Sequence, residues 1–140
     1  MLTNLRRYAA VFTAALVFGG LLVALLEWIS TWDVPTAFMT ILPPMIAAML
    51  EGDRIGKETG VPLPKRAWIG EAVAMTAVAV AVKLVLGGMI MALLVQGGLV
   101  EPVPWGLVGL VVGFDILATF AANGFFLVMG VRNELRSRSR

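Results

Sequence analysis

Residues 68–96 read WIGEAVAMTAVAVAVKLVLGGMIMALLVQ, and residues 105–131 read WGLVGLVVGFDILATFAANGFFLVMGV. Each run exceeds the roughly 20 apolar residues that an α-helix needs to cross a hydrocarbon core about 30 Å thick. Each also holds one formal charge deep within it, Lys83 in the first and Asp115 in the second. Neither shows the period-two alternation of membrane β-strands, so both are predicted to be membrane-spanning helices.

Two more apolar runs lie upstream, Tyr8 to Ile29 and Pro35 to Leu50. The second is short for a span, so its helix is expected to continue through Glu51, Asp53 and Arg54 and to stop at Gly60. Glycine tolerates the left-handed conformation that follows many helix ends. The first run follows Arg6 and Arg7 in the manner of a signal peptide. It is longer than a usual apolar signal region, and no small-x-small cleavage site follows Glu27, so it is expected to remain as a helix. The reading is all-α: an integral membrane four-helix bundle in one domain, with helices at about 8–29, 35–58, 68–96 and 105–131. Composition agrees. Of 140 residues, 59% are apolar and only 14% charged, too little polar surface to cover a soluble globule.

Every Lys and Arg except Lys83 falls before the first helix, between the polar end of the second helix and the start of the third, or after the fourth. The opposite connections carry Asp33 and Glu101 and no basic residue. The positive-inside rule therefore predicts both termini on the cytoplasmic side of a bacterial inner membrane, N-in and C-in. Trp28, Trp32 and Trp105 are expected at the outer interface, and Tyr8 and Trp68 at the inner one.

Several function classes drop out. With no cysteine and no histidine, the chain has no disulfide, thiolate or imidazole metal site, and no Cys or His nucleophile or base. No nucleophile–base set or pair of catalytic carboxylates is visible, so no enzyme, cofactor or metal is expected. The tail from Arg132 to Arg140 is basic, but it lacks interleaved aromatics and follows a membrane helix. Lipid headgroups suit it better than nucleic acid.

The run Ala47-Ala48-Met49-Leu50-Glu51-Gly52, then Ile55-Gly56 and Gly60-Val61-Pro62-Leu63-Pro64 before Trp68, is similar to a family of small bacterial inner-membrane proteins with four helices and no assigned function. The likeness covers residues 40 to 80. It implies the same topology and no activity. Val61 and the pair Lys65-Arg66 depart from that family's usual loop, which carries an Arg before its Pro and an acid before the third helix. The chain differs from the small multidrug resistance transporters, whose hallmark is a Glu within the first helix. Here the first helix has only Glu27, at its outer end.

Charges inside a bilayer cost about 2.5–3.5 kcal/mol each on insertion scales, so each one needs a reason. Glu27 reaches the outer interface, and Glu71 is expected to pair with Lys65 or Arg66 at the inner one. Lys83 and Asp115 are too deep for that. Lys83 lies 17 residues after Arg66 and Asp115 lies 17 before Arg132, so two antiparallel neighbours place them at the same depth. They are predicted to form an intramembrane ion pair. Thr76 shares a face with Lys83, and Thr119 and Asn123 share one with Asp115, which extends the pair into a polar stripe.

Two backbone features complete the reading. Pro43-Pro44 removes two amide donors from the second helix and predicts a kink there. Gly109 and Gly113 form a GxxxG, which favours close approach of another helix from this chain or a partner. Small residues at Gly19, Gly20, Gly87 and Gly88 point the same way. The expected function is an accessory or interaction subunit that sits in the lipid bilayer and packs against a larger membrane complex or a second copy of itself. The alternative is a small dimeric transporter or channel that uses Lys83 and Asp115.

Overall fold

Asn4 starts the first helix, its side-chain Oδ1 accepting from the Arg7 amide at 3.2 Å and its carbonyl from the Tyr8 amide at 2.9 Å. This cap sets α1 at Leu5–Ile29, three residues earlier than hydropathy alone suggests. α2 covers Ala37–Thr59, α3 Lys65–Gln96 and α4 Trp105–Arg138. The structure, a computed structural model, describes residues 2–29, 37–100 and 104–139, without the side chains of Ala37 and Trp105. The expectations for Trp32, Asp33, Glu101 and the Trp105 ring lie outside the described residues. Among the described residues all regular structure is helical.

Several helix ends have a local cause. α2 stops at Gly60, which adopts φ 65° and donates its amide to the Gly56 carbonyl. Pro64 sits just outside α3 as an extended N-cap residue, one position short of the first turn. α3 closes on a Schellman motif: Leu99 N–H bonds Leu94 O at 2.9 Å, Gly98 N–H bonds Val95 O at 3.1 Å, and Gly98 takes φ 67°. α4 runs well past Val131 because its last turns leave the apolar stretch and gain the i,i+4 pair Glu134–Arg138 at 2.9 Å.

Three helices, α1, α3 and α4, are long and apolar enough to cross a membrane. α2 is not among them, because Glu51, Asp53, Arg54, Lys57 and Glu58 occupy its second half. α2 is one continuous helix through Pro43 and Pro44, both of which are buried.

The helices form a ring of neighbours: α1 with α2, α2 with α4, α4 with α3, and α3 with α1. The most extensive pairing is α2 with α4. These two run parallel, since Gly52 lies against Gly130 and Gly56 against Glu134. A Cβ on Gly52 would collide with the Leu127 carbonyl, and one on Gly130 with the Met49 carbonyl, so the backbones touch directly. Trp68 in turn fills the notch at Gly124, where a Cβ would stand 2.8 Å from its ring.

The buried core lies toward one end of the bundle, where α1 and α3 begin and α2 and α4 finish. It holds Tyr8 and Phe12 of α1, Ala47, Ala48 and Ile55 of α2, Ala72, Met75 and Ala79 of α3, and Leu127 and Val131 of α4. This end also carries Arg7, Arg54 and Arg138, and is called the charged end below. Apolar side chains elsewhere point outward: Phe18, Trp28, Leu93, Leu110, Phe114 and Leu117 are largely exposed. Close packing of alanine and glycine faces organises the helices at the charged end.

Candidate functional site

The site begins with a buried polar column between α3, α4 and α1. Tyr8 donates its hydroxyl to Asn123 Oδ1 at 2.8 Å. The Asn123 amide donates to Thr76 Oγ1 at 3.1 Å, and Thr76 passes its own proton to the Ala72 carbonyl at 2.7 Å. Tyr8, Asn123 and Thr76 are all buried, and each donates or accepts within the column. An unmade hydrogen bond here would cost more than a made one contributes, so the column selects one rotation of α1 against α4.

About two turns further from the charged end, the structure brings Lys83 and Asp115 together. Lys83 Nζ donates to Asp115 Oδ1 at 2.7 Å and to Thr119 Oγ1 at 3.0 Å. The Phe12 ring lies 6.0 Å from the ammonium, at the outer limit of a cation–π contact. Antiparallel α3 and α4 therefore meet in the register Thr76–Asn123 and Lys83–Asp115. The pair is not sealed: the side chains keep 17% and 25% of their exposure.

That exposure opens onto a cleft of about 820 Å³. One wall is the α3 face that carries Val80, Leu84, Gly87, Gly88 and Met91, with Gln96 near its top. The other is the α4 face of Val108, Val111 and Val112, with Thr40 of α2 reaching in. The ion pair forms the floor. Above it α3 and α4 separate, and a Cβ on Gly87 or Gly88 would meet no atom within 4 Å.

The other sequence-predicted positions fall as follows. A Cβ on Gly109 or Gly113 would meet no atom within 4 Å, so among the described residues no other helix packs against this glycine pair. The close approach occurs instead at Gly52 and Gly130, with Gly19 holding Met39 on α1. Tyr8, expected at the inner interface, is fully buried within the bundle. Glu71 does not pair with Lys65 or Arg66: it accepts the amides of Leu2 at 2.6 Å and Thr3 at 3.0 Å. Glu51, expected on a solvated helix end, is buried and accepts from the Asn4 amide at 3.2 Å and Arg54 Nε at 3.0 Å, with Arg7 Nε 3.4 Å away. Arg54 also bonds the Leu2 carbonyl and Glu58. Residues 2–4 are thus strapped across the charged end between two carboxylates.

Sequence reasoning missed Tyr8, Glu51 and the strap because their partners lie far along the chain. A tyrosine in the first turn of a helix reads equally well as an interface anchor. The one available signal was depth, since Tyr8 and Asn123 both stand near the charged end of their helices. Among the described residues no group of three or more acidic side chains is placed to hold a metal ion. The chain matches no protein-family model, no curated protein and no solved structure.

Proposed function

We propose that this protein is a small multi-pass subunit of a bacterial inner membrane that acts by packing against another membrane protein, either a larger complex or a second copy. The observation that carries this reading is the open glycine pair on α4. Gly109 and Gly113 stand free of their own bundle, beside the exposed side chains of Leu110, Phe114 and Leu117. Small residues at that spacing let a foreign helix approach backbone to backbone, and lipid cannot exploit such a groove as well as a helix can.

In this reading α2 is the fourth crossing, its charged half lying in the cytoplasmic headgroup region with both termini. A reporter active only in the periplasm, inserted at Gly97–Gly98, then gives signal, and fusions at either terminus give none. Because the chain lacks cysteine, Gly113→Cys supplies a single thiol for the association itself. Oxidation in native membranes is expected to trap a homodimer, or a partner that lipophilic crosslinking and mass spectrometry identify. A lone monomer in both membranes and nanodiscs overturns the reading.

The cleft favours a second reading, a small dimeric transporter or channel in which Lys83 and Asp115 meet the cargo. Its support is that the only charges deep in α3 and α4 form the floor of a space open to the outside of the bundle. Reconstituted vesicles with no proton, ion or solute flux across a broad panel would retire it.

A further inference from the structure

We propose that the cleft between α3 and α4 is a binding site for a neutral, membrane-soluble alcohol or phenol, whose hydroxyl donates to Asp115. The inference rests on the cleft and its floor, and it holds whether or not anything is carried across the membrane.

Size comes first. At about 820 Å³ the cleft falls within the range of small-molecule sites, about 300–1,000 Å³. Its walls are apolar, and the few polar groups sit at defined heights: Lys83 and Asp115 at the floor, Thr40 at the side and Gln96 toward the top. From Lys83 to Gln96 the wall rises 13 residues, about 20 Å at 1.5 Å per residue. An elongated molecule with one polar head matches that shape.

The floor then selects the head. Lys83 is largely satisfied, with Asp115 and Thr119 as acceptors and the Phe12 ring on a further side. Asp115 is not. Only its Oδ1 accepts a hydrogen bond from the described residues, and the side chain is a quarter exposed to the cleft. An ionised carboxylate has about four acceptor positions, so the unmet demand is for a donor. The two formal charges already cancel. A cationic or anionic head would bring an unbalanced charge into a low-dielectric site, whereas a hydroxyl supplies the missing proton at little desolvation cost. The hydrogen bond to an ionised acceptor is also of the stronger class.

The test uses the full chain in phosphatidylcholine nanodiscs and a 4-dodecylphenol that carries a diazirine in its chain. Illumination is expected to place crosslinks within residues 84–95 and 108–114. The O-methyl ether of the same probe keeps the shape and lacks the donor, and it should label at least fivefold less. Gly88→Leu fills the cleft at a position where a Cβ meets no neighbour, and it leaves the ion pair intact. This variant should keep its melting temperature and lose labelling at least fivefold. Asp115→Asn, where it folds, should bring phenol and ether to equal labelling. Equal labelling of the parent by both probes overturns the proposal, as does undiminished labelling of Gly88→Leu, or label spread over outward residues such as Phe18 and Leu21. Phenol-selective labelling without flux in vesicles would retire the transporter reading alone, and flux without such labelling would retire this site alone.

Discussion

The hydroxyl of Tyr8 and the side-chain carbonyl of Asn123 meet at 2.8 Å across the bundle, joining α1 to α4 over a sequence separation of 115 residues. α1 and α4 are not neighbours in the ring of extensive helix contacts, so this bond spans the interior. It ties the first turn of the chain to the polar column that leads to Lys83 and Asp115.

Tyr8→Phe keeps the ring stacked on Phe12, whose centroid is 5.9 Å away, and removes only the donor. Asn123 Oδ1 is then buried and unsatisfied, which costs about 1–3 kcal/mol. Thermal unfolding in detergent should show a lower midpoint. Tyr8→Phe combined with Asn123→Leu should recover part of the loss, and an unchanged midpoint for Tyr8→Phe would show that the bond carries no stability.

Lys83→Met and Asp115→Leu each strand the opposite charge in a poorly solvated place. Losing one member of a buried pair costs about 3–5 kcal/mol, while replacing both is often neutral. The remaining exposure of the pair lowers the expected cost toward the bottom of that range. Folded yield should fall in each single variant and recover in the double. If the double variant is as damaged as the singles, the charges act in function rather than in packing.

Gly130→Val should be among the most damaging single changes, since its Cβ would occupy the space of the Met49 carbonyl where α2 and α4 touch. Gly113→Val adds a side chain into open space and should leave the melting temperature of the monomer intact. Read with a lipophilic lysine crosslinker in place of the Gly113→Cys thiol, the same substitution should reduce crosslinked dimer or partner adduct. Size-exclusion profiles and crosslinking yields for the two variants separate internal from external glycine packing.

Glu71→Ala removes the acceptor of the Leu2 and Thr3 amides. Hydrogen bonds to charged groups contribute about 1.5–3 kcal/mol. Amide exchange at residues 2–4 should accelerate by an order of magnitude or more, while Thr76 and Asn123 stay protected. Uniform acceleration across the chain would mean that the strap is part of the global fold.

Much of the architecture was legible because bilayer physics acts on local sequence. Long apolar runs must become helices, since no other open structure satisfies its backbone in lipid. The register of Lys83 with Asp115, and of Thr76 with Asn123, also followed from counting, because an antiparallel pair joined by a short connection has nearly fixed depth at each residue. Hydropathy did not place the helix ends. Asn4, Gly60 and Gly98 set them through capping bonds that an apolar count does not register.

What the sequence by itself determined is therefore helix number, helix type and the register of Lys83 against Asp115, all of which depend on spacing along one chain. Tertiary structure alone decided which glycines meet. Gly52 and Gly130 stand in no motif that distinguishes them from Gly109 and Gly113, yet the first two are in backbone contact and the second two are open. The difference arises from helix rotation, and rotation is set by the sum of contacts at the charged end: Tyr8 on Asn123, Trp68 on Gly124, and the strap held by Glu51 and Glu71. Those contacts join residues far apart in the chain, so each becomes visible only once the others have oriented the helices. The cleft above Lys83 and Asp115 has the same origin, since packing concentrated at one end of the bundle leaves α3 and α4 apart at the other.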